Sequence, residues 1–205
     1  MKKLLLLLTM STIFLFSSAQ NSFGIKAGVN LATMSLDEDD FSDGIDKALH
    51  PVITVSVLGQ IELSYTANLT LELGLVQTGI KISDDDDNYS SLTYNNVRFS
   101  PGIAFNASDE FSIGFGPYLS YLLNGKMKDH YDGDTDSETI SADDIDDEMK
   151  LDYGLNVNFN YLINDAFLIS TGYSLGLKDY NAEYDDGDRL TNSGIMISIG
   201  YLFGN

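Results

Sequence analysis

The chain contains no cysteine, so neither disulfides nor thiol chemistry enter its design. Lys and Arg number only 11 against 31 Asp and Glu, a formal net charge of −20 that argues against nucleic acid as a partner. After Phe16 there is no continuous apolar stretch approaching the roughly 17–25 residues of a helical membrane span. No glycine-rich phosphate loop is present, and no nucleophile sits in a recognisable motif. If this chain crosses a membrane, it crosses as strands.

What is present begins with a leader. Lys2 and Lys3 precede an apolar run from Leu4 to Phe16, about 13 residues, followed by Ser17-Ser18-Ala19. This has the three parts of a secretory signal cut after Ala19, and the run is too short for a transmembrane anchor. Residues 1–19 are therefore read as a signal peptide and residues 20–205 as one domain, with a formal charge of about −22 once Lys2 and Lys3 are removed.

The mature chain is dominated by alternation. In Leu151–Ile163, odd positions carry Leu, Tyr, Val, Phe and Ile, while even positions carry Asp152, Gly154, Asn156, Asn158 and Asn160, with Leu162 as the exception. Side chains alternate across a strand, so one face is apolar and the other small and polar. The same pattern recurs in Phe23–Met34, Val52–Tyr65, Leu69–Ile82, Thr93–Ala107, Phe111–Met127, Ala166–Lys178 and Thr191–Phe203. A soluble half-buried strand usually carries long charged residues on its wet face. Gly, Ser and Asn instead suit a narrow polar interior, which turns the apolar face toward lipid.

The connections alternate in length. Thr66–Asn68, Asn106–Glu110 and Asn164–Asp165 read as short turns, and Leu36–Leu49, Ser83–Leu92, Lys128–Lys150 and Asp179–Leu190 as long polar loops. Such asymmetry predicts an all-β, eight-stranded antiparallel up-and-down transmembrane β-barrel, with both termini at the short-turn, periplasmic end and acidic extracellular loops at the other. An even strand number closes the sheet without an exposed edge. Phe23, Tyr65, Phe105, Phe111, Tyr161, Phe167, Tyr201 and Phe203 cluster outward near the short-turn end, as an interfacial aromatic girdle does.

These residues resemble the small outer-membrane β-barrel proteins of Gram-negative bacteria labelled porin-family or PorT-like. The resemblance lies in GIKAGVNLATMS at Gly24–Ser35, GPYLSYLLNGK at Gly116–Lys126, YSLGLKD at Tyr173–Asp179, GYLF at Gly200–Phe203, and more weakly in the strand proline Pro101. It implies an eight-stranded outer-membrane barrel and no catalytic residues; the partner expected is outer-membrane lipid and the state expected is a monomer. Phe203 resembles the terminal aromatic read by the barrel-assembly machinery during insertion, here followed by Gly204-Asn205.

Charges inside such a barrel need partners. Lys26, Glu62 and Glu72 sit about three residues in from the short-turn end, and Arg98, Asp152 and Lys178 lie higher, all on the inward face. The expectation is a lumen ion-pair network in two layers, with Lys26 between Glu62 and Glu72 below, the two glutamates facing one another across the second hairpin, and a cation beside Asp152 above. An eight-stranded interior is just wide enough for side chains to fill it, which argues for a plug rather than a pore.

The four long loops hold 25 of the 31 acids. Asp84 and Asp86 lie in the densest run, and Asp132, Asp134 and Asp136 have the alternate spacing of a calcium loop, without the glycine and glutamate that an EF-hand requires. No cofactor is expected beyond loosely bound Ca2+ or Mg2+ on these carboxylates. His50 and His130 fall at the long-loop end without a motif around them. The function expected is non-enzymatic, namely a structural, adhesive or surface-binding role with an extracellular partner the sequence does not name. A small-solute or ion porin is the alternative, and a secreted soluble ligand-binding barrel a further one that requires an apolar interior.

Overall fold

The computed structural model describes residues 21–35, 45–84, 88–180 and 190–203. The signal-peptide reading of residues 1–19 lies outside the described residues. Among the described residues ten strands follow one another: β1 (Asn21–Ser35), β2 (Ile45–Ala48), β3 (His50–Ser64), β4 (Ala67–Asp84), β5 (Tyr89–Asn106), β6 (Phe111–Tyr131), β7 (Asp134–Ser141), β8 (Leu151–Ile163), β9 (Phe167–Gly176) and β10 (Thr191–Phe203). Eight of them, β1-β3-β4-β5-β6-β8-β9-β10, close into an antiparallel ring when β10 pairs with β1 from Phe23↔Phe203 to Ser35↔Thr191. Every ring neighbour is a chain neighbour among these eight, which is an up-and-down barrel.

The two remaining strands lie outside the ring. β2 pairs with the last residues of β4, and β7 pairs with β6 from Asn124 to Tyr131. β4, β5 and β6 run on past the barrel mouth, so the segments read as long loops at Ser83–Leu92 and Lys128–Lys150 contain paired strand. They had lost apolar alternation because they leave the lipid, yet their backbones still pair. The β6–β7 turn is Asp132-Gly133, both at positive φ (50° and 85°), a combination that suits Asp-Gly in a two-residue hairpin.

The inside-out polarity is plain in the exposures. Ile199 is 70% exposed, Ile53 63% and Leu75 58%, while Asn30, Ser120, Asp152 and Arg98 are 2%, 1%, 3% and 4% exposed. An apolar surface that encircles the molecule far exceeds what a water-soluble monomer presents, and lipid is the solvent that accepts it. At the short-turn end Phe23 stacks on Phe203 at 5.0 Å, and Tyr201 meets both Phe203 and Phe167 edge-on at 4.9 and 5.3 Å. Pro101 lacks an N–H, and there the β5–β6 ladder skips from Phe99↔Leu119 to Ile103↔Phe115.

Candidate functional site

The barrel interior is assembled from the inward, even-numbered residues of the strands, and it divides into storeys. At the short-turn end is an open vestibule of about 660 Å3, where Glu62, Asp109, Glu110 and Asp165 meet polar neighbours. Above it Leu58, Leu168 and Leu202, 6%, 4% and 4% exposed, pack together with Leu162. These four leucines interrupt the polar face and close the section. The sequence signal for them was available, since Leu162 breaks the polar set of its strand and Leu168 and Leu202 occupy inward positions of theirs.

Above the leucines lies a polar chamber of only about 60 Å3, lined by Lys26, Ser56, Glu72, Arg98 and Asn156 among others. Lys26 Nζ donates to Glu72 Oε2 at 2.8 Å, and Ser56 Oγ donates to Glu72 Oε1 at 2.6 Å. The carboxylate thus accepts one ionic and one neutral hydrogen bond, and both of its oxygens are satisfied. The cross-strand row Lys26, Ser56, Gly74 explains the contact: Gly74 leaves space, since a Cβ there would lie 2.5 Å from that of Ser56.

Glu62 does not join them. The expectation had the two glutamates facing each other, but the register pairs Glu62 with Asn68 and Glu72 with Leu58. The β3–β4 turn is the tight Tyr65-Thr66 pair, and the ladder shifts between Glu62 and Ser64. Together these slide Glu72 up into the chamber and leave Glu62 in the vestibule beneath the leucines. The lower ion-pair layer is one lysine and one glutamate.

The upper layer is not an ion pair at all. Arg98 donates from Nε to Ser120 Oγ at 2.9 Å and from Nη1 to Ser174 Oγ at 3.1 Å, and its guanidinium lies 4.0 Å from the centre of the Tyr118 ring. Tyr118 Oη donates to Asp152 Oδ2 at 3.3 Å, and Asn192 Nδ2 donates to the same oxygen at 3.2 Å. Among the described residues the ion pairs are Lys26–Glu72 and Lys150–Asp147. The cation expected directly beside Asp152 is therefore replaced by a ring: Arg98 rests on the face of Tyr118, whose hydroxyl reaches the carboxylate. Lys178 lies beyond the end of β9, where it donates to the Glu148 carbonyl and sits 4.9 Å over the Tyr180 ring.

Tyr118 is the residue that sequence reasoning missed. It occupies an inward position among Gly114, Gly116 and Ser120, and one large aromatic on a face of small residues was the available clue. Its cross-strand partner is Gly154, where a Cβ would stand 2.6 Å from the ring.

The upper mouth is covered as well. Two short 3-10 turns, Ala142–Asp144 and Asp147–Lys150, fold over it, and Ile140, Ile145 and Met149 meet Tyr94, Leu122 and Tyr180 around a space of about 170 Å3. Asp132, Asp134 and Asp136 do not converge. Asp132 is in the hairpin turn, and Asp134 and Asp136 lie along extended β7, where alternate residues stand roughly 6–7 Å apart. Among the described residues no three Asp, Glu or His side chains gather to hold a metal ion. Asp86 and the side chain of Asp84 fall outside the described residues. His50 Nε2 meets Thr93 Oγ1 at 2.7 Å and His130 Nδ1 meets Thr135 Oγ1 at 2.8 Å, so among the described residues both imidazoles contact a hydroxyl.

A polar interior inside an apolar wall excludes the apolar cavity that a soluble ligand-binding barrel requires. Residues 18–181 match the family described as outer membrane protein beta-barrel domain. The chain belongs to this family. It is accordingly an outer-membrane protein of the small Gram-negative barrel type. Ail, the attachment invasion locus protein of Yersinia pestis, is similar in fold, with a TM-score of 0.53 at 14% identity over 90% of this chain and 99% of that one. OprG of Pseudomonas aeruginosa aligns at a TM-score of 0.40 and 12% identity over 89% and 96% of the two chains. The protease OmpT of Escherichia coli aligns at 0.41 and 10% over the same two shares. No curated protein sequence matches the chain.

Proposed function

We propose that this protein is a closed, monomeric, non-enzymatic barrel that acts through the surface it presents outside the cell, in a structural, adhesive or binding role, rather than by passing solutes. The observation that carries the reading is the lumen itself. Four leucines seal it below, the Lys26–Glu72 pair and the Arg98–Tyr118–Asp152 stack fill the middle, and Ile140, Ile145 and Met149 cover it above. A chamber of about 60 Å3 holds a few waters, not a hydrated solute. With the interior occupied, the acid-rich outer end is what remains to meet a partner. Insertion through the barrel-assembly machinery, with Phe203 on the terminal strand as the recognised aromatic, belongs to the same proposal.

The test is planar-bilayer conductance of the mature protein, paired with swelling of liposomes that contain it. The expected result is no stable open level and no swelling with small sugars. Reproducible single-channel steps from protein of verified heat-modifiable mobility would establish the porin alternative instead.

A further inference from the structure

Where β4, β5 and β6 leave the apolar band, their alternation goes on to sort charge between two faces. On the outward face Leu75, Val97 and Tyr121 form the last apolar cross-strand row. The next row is Gln77, Asn95 and Asn124, whose side-chain amides bond in series at 2.8 and 2.5 Å. Above it come Thr93, whose hydroxyl is engaged by His50, with Lys126 and Thr139, then Lys81, the buried Ser91, Lys128 and Ser137, because residues directly opposite on neighbouring strands share a face. Tyr89 and His130 top the face, stacked at 5.2 Å, with the Lys81 and Lys128 ammonium groups 4.1 and 5.4 Å from the Tyr89 ring centre. The acids of the same strands, Asp129, Asp134, Asp136 and Glu138, alternate onto the opposite face, and Asp129 is held there by Ser90 at 2.6 Å.

Three lysines are thus gathered on an outward face of hydroxyls, in a chain with a net charge of −20, and among the described residues none of them has a carboxylate within ion-pair distance. This face continues the lipid-facing wall across a ladder shift at Asn95/Asn96, where the outward positions of β6 change from odd to even. Given strand rise and tilt, the lysine rows stand roughly 10–15 Å beyond the last apolar row. That height matches lipid phosphates and sugars rather than acyl chains, and lysine stems reach back toward the chains. A soluble polyanion has to approach past the acidic outer end, whereas a lipid arrives laterally, from the membrane side.

We propose that the outward face bearing Lys81, Lys126 and Lys128, with the hydroxyls of Ser137 and Thr139, binds the phosphate-bearing headgroup of an outer-leaflet lipid. The ammonium groups neutralise the phosphate and the hydroxyls bond its oxygens or the attached sugar. Tyr89 holds two of the ammonium groups together despite their mutual repulsion, since its ring face attracts cations.

The probe is bis-phosphorylated lipid A, added to the mature protein in neutral detergent and followed by native mass spectrometry, with dephosphorylated lipid A and inorganic phosphate as separate arms. The Lys81→Gln/Lys126→Gln/Lys128→Gln protein should bind on the order of 100-fold more weakly than the natural chain. The triple Lys→Arg protein should keep its affinity, and Lys150→Gln, on the covering turn, should behave as the natural chain. Heat-modifiable mobility confirms that each variant is folded. Equal binding of phosphorylated and dephosphorylated lipid, or undiminished binding by the folded Gln variant, would overturn the proposal. Displacement of the lipid by inorganic phosphate beyond the effect of potassium chloride at equal ionic strength would overturn its lipid specificity, marking a site for soluble anions.

Discussion

Removing the ammonium of Lys26 should destabilise the barrel by about 3 kcal/mol, and removing Glu72 as well should restore much of that loss. At 2.8 Å the pair has a gross attraction of about 6 kcal/mol at an effective dielectric of about 20. Desolvation of both groups cancels a large part of it, which is why an intact buried pair adds little while a broken one costs about 3–5 kcal/mol. The side chains here are 12% and 26% exposed, so some water reaches the survivor and the lower end of that range applies. Lys26→Met keeps volume and leaves Glu72 with Ser56 Oγ as its remaining side-chain donor. Glu72→Gln keeps a hydrogen-bonding partner for Ser56 but leaves Lys26 without its counter-charge. The double variant should lose less than the sum of the singles, giving a coupling of about 2–3 kcal/mol. Reversible urea titration of the barrel folding into lipid vesicles measures each corner of the cycle, read by gel mobility and tyrosine fluorescence because the chain has no tryptophan. Singles that add to within about 0.5 kcal/mol would refute the reasoning, since independent sites add that closely.

Other outcomes follow from the same geometry. Leu168→Ala, which hollows the leucine seal, should lower folding stability by about 2–5 kcal/mol in the same titration. The triple Leu58→Ala/Leu168→Ala/Leu202→Ala protein, if folded, should admit water to the chamber, seen as faster amide exchange at Ser56 and Ser170 in nanodiscs; unchanged exchange would show that the leucines are not the barrier. Gly154→Ala places a Cβ in clash with the Leu175 carbonyl oxygen and 2.6 Å from the Tyr118 ring and should destabilise by about 1–3 kcal/mol, a loss that Tyr118→Ala in the same chain should not restore because the backbone contact remains. Ile199 faces outward on the row midway between Phe23↔Phe203 and Leu31↔Ile195, so Ile199→Arg should cost about 2–4 kcal/mol in vesicles. A neutral effect there would mean that the lipid midplane has been misplaced.

The lipid-facing wall was legible because its information is local and redundant. Period-two alternation repeats in eight segments, and a one-residue slip in any of them turns an apolar face inward, so side-chain direction is strongly determined. Register is a different quantity. The pairing of Glu62 with Asn68 rather than Glu72 depends on a two-residue turn at Tyr65-Thr66 and a ladder shift beside it, and neither residue belongs to the Gly, Asn or Asp set that announces tight hairpins. Alternation is blind to a slide by an even number of residues, because the faces stay the same while every cross-strand partner changes. Glu62 keeps its inward face and takes Asn68 as its partner.

The same reasoning explains why the charged interior looked like two ion-pair layers. Inward direction could be assigned to Lys26, Glu72, Arg98 and Asp152 from parity alone, but which of them touch is a matter of register and of the side chains between them. Tyr118 is that intermediary. Its ring takes the guanidinium on one face and its hydroxyl meets Asp152, so two opposite charges are coupled without contact. A phenol is well suited to this position: a leucine offers Asp152 no donor, and a lysine leaves Arg98 facing a like charge. The arrangement also fits Gly154, whose missing Cβ makes the room the ring occupies. The middle storey is therefore stacked and hydrogen-bonded rather than ionic, and Tyr118→Phe, which keeps the stack and deletes the donor to Asp152, should cost about 1–3 kcal/mol in the vesicle titration. Loss of stability from Tyr118→Leu should exceed that of Tyr118→Phe, because only the former removes the face on which Arg98 rests; equal losses would mean that the hydroxyl alone holds the storey together.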